Sequence, residues 1–191
     1  MPPAIEIVPY RNRWPAEFSN IAARLRAGLG DLALRIDHIG STSVPGLAAK
    51  DVIDIQITVA ALDPRAEAAM RALGYDRSPV IAGDHRPPDA EGPDADWDKW
   101  FFVAPAKQRR THTHMRALGR PNQRYALLFR DFLRAHPKTA EAYARLKRLL
   151  AENLADPDAY PDVKDPAVDL IYFAAEDWAV QSRWQPAPSD G

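Results

Sequence analysis

Asp54 lies in an alternating run, Ile53-Asp54-Ile55-Gln56-Ile57-Thr58-Val59, and His112 and His114 lie two positions apart in Thr111-His112-Thr113-His114-Met115. In a β-strand, residues i and i+2 leave on the same face. Asp54 and Gln56 therefore share one face, opposite the isoleucines, and the two imidazoles share a face of their own strand. A carboxylate can hold a hard divalent cation, and with two imidazoles it could hold one Mn²⁺ or Zn²⁺. Either His could equally serve as a general base. Just upstream runs Gly40-Ser41-Thr42-Ser43-Val44-Pro45-Gly46, whose N–H groups and hydroxyls could cradle phosphate oxygens, with Lys50 able to reach them. Arg110 and Arg116 share parity with both His and add cations to that face, which suits a solvated, anion-attracting side.

Each of these readings has a plainer competitor. His-x-His can be polar patterning on a solvated sheet face. The three hydroxyls could cap a short helix over Pro45 to Ala49. His38 falls on the parity of Leu34 and Ile36, which suits a buried, hydrogen-bonded His that steadies the turn. Asp51 comes three residues before Asp54 and points with the Ile53 face. A serine hydrolase is disfavoured, since no Gly-x-Ser-x-Gly elbow is present.

The elements that must position these residues follow from periodicity. Trp14-Pro15 opens a helix to about Leu29, with Phe18, Ile21, Ala22 and Leu25 as its apolar stripe. Leu32 to Ile39 and the Ile53 run read as strands, and Ile5 to Val8 as a short one. Asp63-Pro64 caps a helix to about Leu73, and Tyr75 to Ile81 follows as a further strand. Gly83 to Asp96, with Pro87-Pro88, is irregular, either a lid or a passive loop. Trp100 to Ala104 and Arg110 to Leu118 form a strand pair. Helices are predicted over Pro121 to Ala135, Pro137 to Asn153 and Pro166 to Trp184. Strands first and helices last give an α+β class, a small mixed sheet with helices packed on one face and a helical C-terminal third. Residues 1–184 are expected to form one domain and 185–191 a frayed tail.

Composition narrows the class. The chain has 191 residues, 46% apolar and 27% charged, as in an ordinary globule. No apolar run approaches ~18 residues and no signal segment opens the chain, so no membrane partner is expected. Zero cysteines exclude disulfides and thiolate sites and suggest a cytoplasmic address. Net charge is −1, but twelve bases stand against Asp131 and Glu141 between Lys107 and Arg148. These are either helix faces neutralised across the fold or the rim of an anion site.

Gly40-Ser41, twelve residues, then Asp54-Ile55-Gln56-Ile57 resembles the nucleotidyltransferase signature of the DNA polymerase β superfamily. More narrowly, His38 to Lys50 with Ile53-Asp54-Ile55, the Thr111-His112-Thr113-His114-Met115 strand and Phe129-Arg130-Asp131-Phe132-Leu133-Arg134 closely resemble the GrpB family, over nearly the whole chain. The resemblance implies a nucleotidyltransferase-like fold that binds a nucleoside triphosphate or nucleotide cofactor with a divalent metal, Mg²⁺ or Mn²⁺ before Zn²⁺. It implies Asp54 and His114 as catalytic residues and Asp54, Gln56, His112 and His114 as metal ligands. Gly40, Ser41, Thr42, Ser43, Lys50 and Arg110 would meet the nucleotide. Gln56, however, stands where the signature has its second carboxylate. An amide brings no charge, so affinity for a metal pair should fall, and a catalytically reduced nucleotide-binding or regulatory module is the alternative. Relatives joined to dephospho-coenzyme A kinase hint at coenzyme A metabolism. The expected partner is a nucleotide or other phosphate-bearing small molecule rather than nucleic acid.

Overall fold

The computed structural model describes residues 5–88 and 90–191. Strands β1 (Arg35–Ile39), β2 (Ile53–Val59), β3 (Asp76–Arg77), β4 (Trp100–Val103) and β5 (Thr111–Ala117) form one mixed sheet in the order β1-β2-β5-β4-β3. Of these pairings β2 with β5 is parallel and the others are antiparallel. The helices are α1 (Trp14–Leu29), α2 (Pro64–Ala72), α3 (Pro121–Ala135), α4 (Pro137–Asn153) and α5 (Tyr160–Ser182). This is an α+β fold with a helical C-terminal third.

Alternation in β2 decides which face meets the core. Ile53, Ile55 and Ile57 are fully buried. They pack with Ile36, Met115 and Phe102 against Trp14, Phe18 and Leu25 of α1 and Met70 of α2. A second apolar cluster joins α3, α4 and α5 to Val44, Leu47 and Ala48, the residues that follow the Gly40-Ser41 turn. These three helices thereby roof part of the sheet's polar face, and the Gln56 Nε2 amide donates to Gln123 O of α3 at 3.1 Å. The break between α3 and α4 falls at His136 (φ −124°, ψ 75°), because the residue before Pro137 is pushed out of the helical region.

Several boundaries differ from the periodicity. The first strand starts at Arg35, since Gly30–Leu32 forms a 3-10 turn. Ile5 to Val8 contributes one bridge, Val8 to Ala49. The Tyr75 to Ile81 strand shrinks to Asp76–Arg77 on the sheet edge. The 3-10 turn near the loop covers Ser41–Ser43, and no helix forms at Pro45–Ala49. The last helix starts at Tyr160, with Pro161 in its first turn, where no N–H is needed, and Pro166 inside it. The tail is docked where fraying was expected. Ser189 Oγ accepts from Ile36 N at 2.9 Å, Gly191 N donates to Ile36 O at 3.0 Å, and the Asp190 carboxylate accepts from His38 N at 2.9 Å. The free edge of β1 offers unpaired backbone groups, and the tail meets them.

Ile55→Ala, at the centre of the buried stripe, is expected to cost ~2–5 kcal/mol, read as a lower urea midpoint with an unchanged slope.

Candidate functional site

A cavity of about 510 Å³ lies between the polar face of the sheet and α3, α4 and α5. The parallel register sets Asp54 beside His112 and Gln56 beside His114. Neighbouring residues in register share a face, and Asp54, His112 and His114 all line the cavity together with Gly40, Ser41 and Lys50. The His112 Nδ1 stands 3.1 Å from Asp54 Oδ1.

The turn at the mouth of β1 is locked from several sides. Gly40 has φ +67°, and a Cβ there would overlap the Asp54 carboxylate, so only glycine fits both the backbone and the close approach. His38 stacks on Phe18 with ring centroids 4.8 Å apart, and its Nε2 meets Thr42 Oγ1 at 3.0 Å. Burial pushes the His38 pKa down to about 4, so the ring is neutral. Ser43 Oγ donates to Gly40 O at 2.6 Å, and the Arg134 guanidinium donates to Ser43 O at 2.9 and 3.1 Å. Thr42 and Ser43 are both buried and satisfied by the protein. Both hydroxyls expected at the phosphate thus have protein partners. They hold the turn, and Ser41 alone of the three hydroxyls lines the cavity.

Ser41 Oγ accepts from Lys147 Nζ of α4 at 2.8 Å, and the same ammonium donates to Ala48 O at 2.6 Å. Burial, followed by the nearby Lys164, drives the Lys147 pKa down to about 7. Lys50 Nζ sits 4.1 Å over the Tyr160 ring, and burial and Lys164 lower its pKa too. Lys164 also lines the cavity. Arg110 is exposed at the edge of β5 and lines a separate cavity of about 440 Å³ with Phe101, Val103 and His112. It precedes the strand, and its parity with His112 does not carry it into the main cavity.

Gln56, expected as a metal ligand, has protein partners instead. It is fully buried and bound at both ends: Nε2 donates to Gln123 O, and Oε1 accepts from Arg116 Nη1 at 2.7 Å. It is committed to the protein and does not line the cavity as a metal ligand. The Arg116 guanidinium in turn grips Asp84 through Nε and Nη2, each at 2.7 Å. Lys99 Nζ donates to Asp84 at 2.6 Å and Asn122 Nδ2 at 3.1 Å. Burial would raise the Asp84 carboxyl, but Arg116 and Lys99 hold it well below the usual carboxylate range. Burial, with Arg116 and Lys99, lowers the His114 pKa far enough to keep that ring neutral. Its buried Nδ1 has no protein partner among the described residues, and the same holds for Trp97 Nε1, Asn122 Oδ1 and Tyr125 OH. All four residues line the cavity.

Asp84, Lys99 and Lys147 were missed by sequence reasoning, whereas parity placed Arg116 on the face of His112 and His114. Of the three, Lys147 had a signal: it falls on the buried Ala140, Tyr143, Ala144 stripe of α4. Several other bases of that segment are spent on internal partners: Arg109 on Asp51 and Glu17, Arg124 on Glu176, and Arg130, fully buried, on Asp131 and Asp190.

Comparison with solved structures defines the class as a nucleotidyltransferase-like fold. Cid1 in complex with its short product ApU superposes with a TM-score of 0.51 at 14% identity, over 75% of this chain and 42% of that one. The conserved protein GrpB from Enterococcus faecalis superposes with a TM-score of 0.71 at 25% identity, over 94% of this chain and all of that one. The GrpB protein profile matches residues 4–173, and the chain belongs to the GrpB family. A dephospho-CoA kinase of Mycolicibacterium paratuberculosis is 42% identical over 199 residues, 95% of this chain and 48% of the relative. The YqkA protein of Bacillus subtilis is 33% identical over 177 residues, 91% of this chain and 48% of the relative. The chain thus spans about half the length of these curated relatives.

Nucleotidyltransferase chemistry implies a divalent ion held by carboxylates. The donor set does not fit an ion pair. Gln56 replaces one carboxylate and is engaged at both ends, Asp84 is answered by two cations, and among the described residues no group of three His, Cys, Asp or Glu side chains is placed to hold an ion.

Two outcomes are expected. Gly40→Ala should destabilise by ~1–2 kcal/mol from the left-handed backbone alone, and more from the overlap with Asp54, in thermal or urea unfolding. Lys147 gives a pH signature. An unfolded lysine titrates near 10.5 and the folded one near 7, so between those values the unfolded chain binds the extra proton and stability rises with pH. Lys147→Met should flatten that rise between pH 7 and 10 in unfolding measured across pH; an identical slope in both proteins would refute the assignment.

Proposed function

We propose that the cavity binds a phosphate-bearing small molecule, with a nucleotide or nucleotide-containing cofactor as the preferred class. The observation that carries this reading is the lining: Lys50, Lys99, Arg116, Lys147 and Lys164 face one cavity against the two carboxylates Asp54 and Asp84. Lysine provides a compact charge with three donors, suited to phosphate oxygens. The Gly40-Ser41 turn stands among these cations, and its Ser41 hydroxyl already meets Lys147. Aromatic walls and orphan polar groups supply the rest of a nucleotide's needs. Phe129 links Tyr143 and Tyr125, at 5.9 and 6.2 Å between ring centroids, and Trp97 Nε1, Tyr125 OH and Asn122 Oδ1 offer hydrogen-bonding capacity that no protein group uses among the described residues. A base has both a π face to stack and polar edges to pair. The volume falls within the range of small-molecule sites. The relatives named dephospho-CoA kinase make adenine nucleotides and dephospho-coenzyme A the first ligands to try.

Nucleotidyl transfer is the second reading, favoured by one observation. Asp54 and His112, both part-exposed at 25% and 37%, form an acid–base pair beside the turn and could meet an acceptor hydroxyl. Gln56 and its bond to Arg116 favour the binding module instead.

ATP, ADP or dephospho-coenzyme A is expected to raise the melting temperature, with ~2.7 kcal/mol of stabilisation at a hundredfold excess over Kd. The absence of a shift with every phosphate-bearing ligand would sink the reading, and pyrophosphate release from a nucleoside triphosphate would favour transfer.

A further inference from the structure

We propose that this domain takes its phosphate-bearing ligand without a divalent ion, with the protein's own cations Lys99, Arg116, Lys50 and Lys147 supplying the positive charge. The inference rests on the reading of the cavity as a phosphate site and goes on to say how that site is charged.

The argument starts at Gln56. A second metal carboxylate would have to project from this position of β2, beside Asp54. The amide here is buried, and turning its oxygen toward an ion would strip Arg116 Nη1 of its 2.7 Å acceptor. Its nitrogen would also leave Gln123 O, which accepts at 3.1 Å. Both abandoned groups are buried, where an unmet donor or acceptor is costly. The partner of Gln56 is itself a cation. Arg116 projects from β5 with its guanidinium against the amide and paired with Asp84, so the place a metal pair would occupy is already taken by a bound cation. A dication there would face like charge at close range.

The remaining carboxylates point the same way. Asp84 accepts from Arg116 Nε and Nη2, Lys99 Nζ and Asn122 Nδ2, and those four donors use both of its oxygens. Asp54 retains one protein partner, His112, and two neighbouring groups do not enclose an ion. Meanwhile the ammonium groups remain usable. Lys147 Nζ makes two bonds, to Ser41 Oγ and Ala48 O, and its third N–H belongs to the ammonium form, which a phosphate beside it favours. Lys50 rests on the Tyr160 ring and makes no hydrogen bond among the described residues. Ligand phosphate oxygens that would otherwise need a metal to cancel their charge find ammonium groups beside the Gly40-Ser41 turn.

The test is isothermal titration of the full chain with ADP and ATP, in EDTA and again in excess Mg²⁺, together with Mn²⁺ alone as a direct metal probe. Affinity in EDTA is expected to equal or exceed that in Mg²⁺, since the ion would compete with the lysines for phosphate. Mn²⁺ alone is expected to give no saturable heat. Lys50→Gln, at a part-exposed position, is expected to weaken binding by about tenfold (~1.4 kcal/mol) in both buffers, with its melting temperature read alongside to show that it is folded. Three outcomes overturn the proposal while leaving the phosphate site standing: a gain of about tenfold or more on adding Mg²⁺ (~1.4 kcal/mol), a saturable Mn²⁺ site lost in Asp54→Asn, or wild-type affinity in Lys50→Gln. Failure of both nucleotides to bind in either buffer overturns the phosphate site and the proposal together.

Discussion

The parallel pairing of β2 with β5 is the constraint on which the rest of this structure depends. Parallel strands need a crossover, and here α2, β3 and β4 lie in sequence between the two. The register that results puts Ile53, Ile55 and Ile57 next to Thr111, Thr113 and Met115 on the face covered by α1 and α2. It therefore puts Asp54, Gln56, His112, His114 and Arg116 together on the other. A slip of one residue in either strand would exchange those sets and drive an aspartate and an arginine into the isoleucine core. The hydrophobic stripe thus defines the polar face as firmly as any contact within the cavity does.

On that polar face, charge is arranged around fixed cations. Lys99 and Arg116 converge on Asp84 from the loop after β3, and Gln56 completes the coordination of the guanidinium. This ties the irregular loop to the sheet and to Asn122 of α3 through a single carboxylate. Buried ion pairs of this kind are sensitive to loss of either partner, because the survivor is left uncompensated. A second tie runs through the turn: Arg134 of α3 holds Ser43 O, and Lys147 of α4 holds Ser41 and Ala48. The C-terminal helices are therefore both the roof of the cavity and the clamp on its loop. The likeness to Cid1 covers 75% of this chain at 14% identity, which speaks to the fold. The chemistry is set by the particular residues on its polar face.

Much of this was determined by the sequence itself. The alternation around Asp54, the proline at the start of each of the first four helices and the Phe18-Ile21-Ala22-Leu25 stripe make the element order readable, because local propensity and burial agree there. The Gly40-Ser41 motif and the two His marked the family, and all four residues line the cavity. Tertiary structure alone decided the rest. Whether Thr42 and Ser43 face a ligand or the protein depends on the folded turn, in which His38 meets Thr42 and Gly40 O meets Ser43, and which Phe18 and Arg134 hold from distant segments. The fate of Gln56 depends on Arg116, 60 positions away, and that of Asp84 on Lys99, Arg116 and Asn122, which meet only once the strands have paired. Lys147 reads as one more base in a basic helix until α4 closes over Ser41 and buries it. Periodicity tells which face a side chain leaves from; the partner that claims its charge is chosen by contacts between segments far apart in the chain, and no local pattern encodes them.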